Sequence, residues 1–424
     1  MASVTYAELV RGNAHFRRLW FGQVVSELGN WFNLIAELGL ARALSGTALS
    51  ASLIIAAHLI PFCVVGPFAG AIADRFPRRT MMLVADVARA LIALGFLLVT
   101  SADRLWIAYV CAAGLSLFTA VFEAAKNASM PRLAEGPQLL PANALMHATR
   151  FLQMALGSML GGVASQYLGY RAAFAINAVS FVVSANFVFR IPASALNSEI
   201  RHKAATSLRA IREDLAVALS FMKSSTIVRA IVGLNLFWAL GGGMSQVIMD
   251  RFGGIVFAPK GSSGDSGVAV LYAATGMGLM TGMVFARRAG VWAGSRDRVG
   301  QYIGWTVLGS GACAAACGLM PGLLSMAVLV FVSRVMLSAG YAVQDTLLMV
   351  TLPDDLRGKV YTIDRSIELA IMALAALVAG QLFAVLPPRA VVVISGTLMG
   401  LPAAVWLVAV ARGRLRPSGT GFVS

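Results

Sequence analysis

The chain has 424 residues, 58% of them hydrophobic and 12% charged, with a mean hydropathy of +0.78. An ordinary soluble domain carries about 25% charged residues, so this composition excludes a water-soluble globule, and its apolar content excludes a disordered chain. A polytopic membrane protein remains. The net charge of +15 then has two readings, a nucleic-acid surface or basic residues gathered in cytoplasmic loops, and the positions of the charges decide between them.

A membrane-spanning helix needs about 20 apolar residues. Twelve such stretches are predicted, at 19–42, 50–73, 80–101, 105–126, 147–168, 172–190, 226–250, 267–287, 300–319, 323–350, 360–386 and 390–411. Residues 1–18 are polar and basic and run straight into the first stretch, which therefore reads as a retained helix and not a cleaved signal. The longest connection, 191–225, divides the spans six and six. Within it Leu208, Ile211, Leu215, Leu219 and Met222 recur at helical spacing, which predicts a basic amphipathic helix on the membrane surface. The expected fold is all-α, with twelve transmembrane helices in two six-helix bundles, 1–190 and 226–424, joined by a cytoplasmic linker at 191–225.

Of the 34 Lys and Arg, 26 fall in the N-tail, the 2–3, 4–5, 6–7, 8–9 and 10–11 loops and the C-tail; six fall on the opposite side. This asymmetry places both termini in the cytoplasm and replaces the nucleic-acid reading with the lipid bilayer as partner. Arg89 and Arg334 are counted to neither side and lie within spans, and Asp86 with Arg89, at i and i+3, reads as a local ion pair. Cys63, Cys111, Cys313 and Cys317 have no zinc-ligand context. The sequence contains no P-loop, no H-E-x-x-H and no G-x-S-x-G, so neither an enzyme nor a bound cofactor is expected and the proton motive force is the expected energy source.

The first span carries a polar stripe of Gln23, Ser26, Glu27, Asn30, Asn33 and Glu37, which at 100° per residue occupies an arc of about 120°. Lipid does not tolerate such a face, so it must meet protein or water. At 1.5 Å per residue Glu27 lies about 12 Å deep and Arg334 about 16 Å from the opposite end of its span, depths that permit pairing. Glu27 then reads as a proton-responsive carboxylate with Arg334 as counter-ion or substrate anchor, or the two read as a structural ion pair. Glu37 is a second proton-coupling candidate, or a gate or interfacial residue near the external face. The seventh span repeats the pattern with Asn235, Trp238, Ser245 and Gln246. Glu123 and Lys126 are candidate cytoplasmic gate partners, and His58 reads as a packing histidine. Polar stripes of this kind suit a small amphiphilic substrate.

After the second span comes Gly70-Ala71-Ile72-Ala73-Asp74-Arg75-Phe76-Pro77-Arg78-Arg79, which resembles the G-x-x-x-D-R-x-x-R-R loop of the major facilitator superfamily. Gly70 permits close helix approach, Asp74 suits a helix N-terminus, and Arg75, Arg78 and Arg79 suit acids or lipid phosphates, together a cytoplasmic latch. Gly282 lies 212 residues after Gly70, with Ala286 in the place of Asp74 and Arg287 in that of Arg75. The resemblance implies a parallel repeat of two halves, alternating access around a midplane site, and helices 1, 4, 7 and 10 lining it. Phe16 to Gln23, Leu83 to Ala90, Pro141 to Leu145 and Pro353 to Val360 are similar to the branch containing bacterial siderophore exporters and macrolide-efflux proteins. That branch implies a monomeric proton antiporter of the bacterial inner membrane that exports a siderophore, macrolide or other drug. Three departures stand out: Ser158 replaces Pro in the helix-5 pattern Gly157 to Gly162, Asn30 stands where the branch often has Asp, and the helix-4 arginine of many drug antiporters is missing. Uptake or facilitated diffusion of a nutrient, and a transport-inactive sensor or scaffold, are the alternative readings.

Overall fold

The computed structural model describes residues 5–65, 68, 72, 75–197 and 208–415, with the side chains of 208–215 and 355 undescribed. Fifteen α-helices are present among them: α1 Tyr6–Gly12, α2 Ala14–Ser45, α3 Ala48–Val65, α4 Arg78–Gly95, α5 Leu105–Leu133, α6 Leu139–Leu168, α7 Tyr170–Phe189, α8 Ala193–Leu196, α9 Leu208–Ser224, α10 Thr226–Arg251, α11 Asp265–Ser295, α12 Val299–Ala316, α13 Leu323–Thr351, α14 Asp354–Val385 and α15 Pro388–Ala411. Ten of them are long and apolar enough to cross a membrane. The exceptions among the expected spans are α2 and α6, which at 32 and 30 residues have the length but fall outside the ten; α2 carries the polar stripe.

Local chemistry sets the ends of α2. The Asn13 side chain accepts from Phe16 N at 3.0 Å, satisfying one of the orphan N–H groups of the first turn. The helix ends at Gly46, whose φ of +67° is the left-handed conformation that glycine adopts without strain. Helix α6 begins eight residues before its expected start, because Pro141 falls in the first turn, where its missing N–H has no partner to lose. Arg150, counted with the basic residues of the 4–5 loop, lies within this helix.

The chain forms two compact units, Met1–Ala205 with Ala258–Ala273, and Thr206–Phe257 with Ala274–Ser424. In the first, α2 packs on α6 and α7, and α4 on α5 and α7. The pattern Gly157 to Gly162 explains the tightness of α2 against α6: a Cβ on Gly157 would meet Trp31 Cβ at 2.8 Å and one on Gly161 would meet Phe32 Cα at 2.9 Å. Ser158, the residue standing in for Pro, donates to the Ala269 carbonyl at 3.4 Å.

Arg89 ties α4, α5 and α7 together. Its guanidinium pairs with Asp86, lies over the rings of Phe122 at 4.6 Å and Phe181 at 4.5 Å, and Asp86 accepts from Ser184 Oγ at 2.9 Å. The expected local ion pair is thus also a tertiary anchor, since a cation 1% exposed needs every available partner.

In the second unit α12 packs on α15 and α13, and α10 on α14 and α15. Small residues set the spacing: a Cβ on Gly311 would lie 2.4 Å from Gly400 Cα, and one on Gly282 2.3 Å from the Val335 carbonyl oxygen. Serines then hydrogen-bond across helices, Ser395 to the Gly241 carbonyl at 2.9 Å and Ser333 to that of Ser310 at 2.8 Å. The amphipathic helix expected on the membrane surface is α9, but Ala218 and Met222 are buried in the core of this unit beside Val228 and Val360, while Leu219 stays exposed. Met222, at the C-terminal end of the apolar face, therefore meets protein. Leu208, Ile211 and Leu215 lie among residues whose side chains are outside the description.

Two outcomes follow for purified protein followed by thermal unfolding. Arg89→Ala leaves Asp86 buried without its partner and is expected to cost about 3–5 kcal/mol, with much of the loss recovered in the Asp86→Leu, Arg89→Leu double variant. Gly311→Val forces α12 off α15 and is expected to cost about 1–3 kcal/mol.

Candidate functional site

A cleft with about 350 Å³ of empty space opens among α2, α5 and α6 of the first unit. Its apolar wall is Trp20, Val24 and Met146; its polar wall is Gln23, Glu27, Glu123, Lys126, Thr149, Arg150 and Gln153. Periodicity puts Gln23 and Glu27 on one face of α2, Glu123 and Lys126 one turn apart on α5, and Thr149, Arg150 and Gln153 on α6. Gln153 donates to the Gln23 and Val24 carbonyls at 3.2 and 3.0 Å, Trp20 Nε1 donates to Thr149 at 3.1 Å, and Lys126 pairs with Glu123 and reaches Gln23 Oε1 at 3.4 Å. The expected gate pair Glu123–Lys126 is therefore a contact within one helix that lines this cleft. Glu27 and Arg150 make no hydrogen bond or ion pair among the described residues. Asn30, one turn beyond Glu27, is half-buried.

Farther along α2, Asn33 and Glu37 are buried, at 1% and 0% exposure. Asn33 donates to Glu37 Oε1, and His58 Nε2 on α3 lies 2.7 Å from Glu37 Oε2. Glu37 is thus buried, and His58 is its hydrogen-bond partner, where the sequence suggested only packing.

In the second unit Arg334 is buried and donates to Ser245 Oγ at 2.8 Å, within a second cleft of about 350 Å³ lined by Ser245, Met249, Met326 and Ser395. Asn235 belongs to a different cluster. It donates to Asp364 Oδ2 at 2.7 Å and accepts from Gln344 Nε2 at 2.6 Å. All three are buried, and Asp364 Oδ1 has no partner among the described residues. Trp238 Nε1 also lacks one there, and Gln246 is half-buried. Asp364, Glu368 and Gln344 were missed as site residues, although two acids and Arg365 inside the apolar stretch 360–386 are a readable signal.

Gly70 and Asp74 lie outside the described residues. Arg75 is exposed. Arg78 donates to the Ala128 carbonyl at 2.8 Å, Arg79 donates to the Phe189 carbonyl and covers the Phe189 ring at 4.9 Å, and Arg132 donates to that of Asn197. Where the sequence suggested acids or lipid phosphates, Arg78 and Arg79 meet backbone carbonyls toward the ends of α5 and α7, the negative poles of those helices.

Ten long apolar helices and a cleft joining apolar and charged walls define a multi-pass membrane transporter. The chain belongs to the Major Facilitator Superfamily, whose family model matches residues 19–363. An uncharacterized MFS-type transporter, YfiS of Bacillus subtilis, is 30% identical over 210 residues, 49% of this chain and 50% of that protein. A lysophospholipid transporter, LplT of Photorhabdus laumondii, is 26% identical over 236 residues, 54% of each chain. The match thus spans about half the length of these curated relatives. Among solved structures, the nucleoside transporter NupG superposes with a TM-score of 0.73 at 10% identity, covering 93% of this chain and 99% of that one. A bacterial homolog of the human lysosomal transporter Spinster gives 0.69 at 13%, covering 96% and 97%. These likenesses show the fold.

The Asn235 cluster is testable by a double-mutant cycle. Asn235→Leu and Gln344→Leu are each expected to lower stability by about 1–3 kcal/mol. The double variant should lose less than the sum, because the second change removes a group already stripped of its partner. Thermal unfolding of the four proteins measures it.

Proposed function

We propose that this chain is a secondary transporter that exports a small amphiphilic molecule across a bacterial inner membrane by alternating access, in exchange for protons. In this reading α2 and α6 cross the membrane with the ten apolar helices, giving twelve spans in two six-helix bundles with both termini cytoplasmic, and the transporter works as a monomer. The observation that carries the reading is the α2–α5–α6 cleft, whose Trp20, Val24 and Met146 face the same space as Glu27, Lys126 and Arg150. An amphiphile needs both walls. Glu27 is assigned the proton, as the cleft carboxylate with no partner among the described residues. Glu37, held by His58, is the second candidate. Asn30, Asn33, Asn235, Trp238, Gln246 and Arg334 are assigned to the substrate path, and the Gly70 to Arg79 loop to the cytoplasmic latch.

The resemblance of the loop and helix motifs to siderophore-exporter and macrolide-efflux proteins supports export. Relatives bearing the name lysophospholipid transporter support a lipid-like cargo over a siderophore or macrolide. Proteoliposomes under an imposed pH gradient test the proposal with a single-chain phospholipid, a macrolide and a siderophore. The expected outcome is gradient-driven movement of one class, abolished in Glu27→Gln. Equal movement with and without the gradient, or an unaffected Glu27→Gln variant, would overturn proton exchange through this residue.

A further inference from the structure

The charges of the α2–α5–α6 cleft are balanced and unequally used. Two acids, Glu27 and Glu123, face two bases, Lys126 and Arg150. Lys126 and Glu123 form an ion pair, and Arg150 adds a second positive charge near Glu123, while neither the Glu27 carboxylate nor the Arg150 guanidinium makes a hydrogen bond or ion pair among the described residues. A site built for an anion would carry surplus positive charge, and one built for a cation surplus negative charge. This one is neutral overall, with one open position of each sign. Trp20, with its N–H already committed to Thr149, adds an aromatic ring of the kind that attracts quaternary ammonium.

We propose that this cleft recognises a zwitterionic head group, its anion received by Arg150 with Lys126 beside it and its ammonium by Glu27, with Trp20 on the apolar side. The guanidinium fork suits a phosphate or carboxylate. The pairing explains why both groups stay open: each is satisfied by one half of the same ligand. A head group with one charge would leave the other position unfilled and gain correspondingly less. The inference rests on the transporter reading and specifies its substrate class.

Binding to the purified full-length protein in a non-ionic detergent tests it, by isothermal titration with three probes of equal chain length: an alkyl phosphocholine, an alkyl phosphate and an alkyl trimethylammonium. The phosphocholine is expected to bind about tenfold or more tightly than either singly charged probe, about 1.4 kcal/mol. Glu27→Gln should weaken the phosphocholine and the ammonium probe but leave the phosphate probe unchanged. Arg150→Gln should weaken the phosphocholine and the phosphate probe but spare the ammonium. Equal affinity for all three probes, or loss of all three in either variant with unfolding temperature intact, would overturn the proposal. Head-group selectivity without gradient-driven transport would remove proton exchange and leave this inference standing. Transport of amphiphiles with no zwitterion preference would remove this inference alone.

Discussion

Every polar side chain inside an apolar helix bundle must find its partner in protein, because hydrocarbon offers none. That constraint organises both units. Serines spend their hydroxyls on neighbouring carbonyls, as Ser395 does on Gly241. Asp86 and Arg89 close on each other and on Ser184 and two aromatic rings. Small residues such as Gly161 and Gly311 bring the helices close enough for such contacts. Where satisfaction is complete the polar residues are structural. Among the described residues Glu27 and Arg150 make no such contact, and buried atoms such as Asp364 Oδ1 and Trp238 Nε1 have no hydrogen-bond partner.

This distinction separates the polar residues of α2, which look equivalent along the helix. Gln23 is held by neighbours and shapes the cleft wall. Glu37 is closed in by Asn33 and His58. Glu27 lines the cleft and makes no hydrogen bond or ion pair among the described residues. One stripe thus contains a scaffold, an open carboxylate and an internal pair, in order along the chain.

The membrane class, the separation into helices and the cleft face of α2 were readable because hydropathy and a 3.6-residue period depend only on neighbours in sequence. The motif Gly70 to Arg79 carried the family for the same reason. Partner identity was not readable in that way. His58 is 21 residues from Glu37, Ser184 is 98 from Asp86 and Asp364 is 129 from Asn235, and only folding makes them adjacent. The start of α6 was placed eight residues late, although the first turn of a helix accommodates Pro141. The amphipathic pattern of α9 correctly gave a helix, but periodicity cannot say whether its apolar face meets lipid or protein.

The Asp86–Arg89 anchor also bears on how the protein is made. Helix α4 is synthesised well before α7, so Ser184 and Phe181 do not yet exist when α4 must leave water. The acid and the base lie three residues apart on the same helix and can neutralise each other there, so the segment does not have to enter the bilayer with bare charges. The later helix then finds a ready-made dipole to dock against. A pair divided between two helices would serve the finished bundle equally well, but would leave each half exposed during insertion.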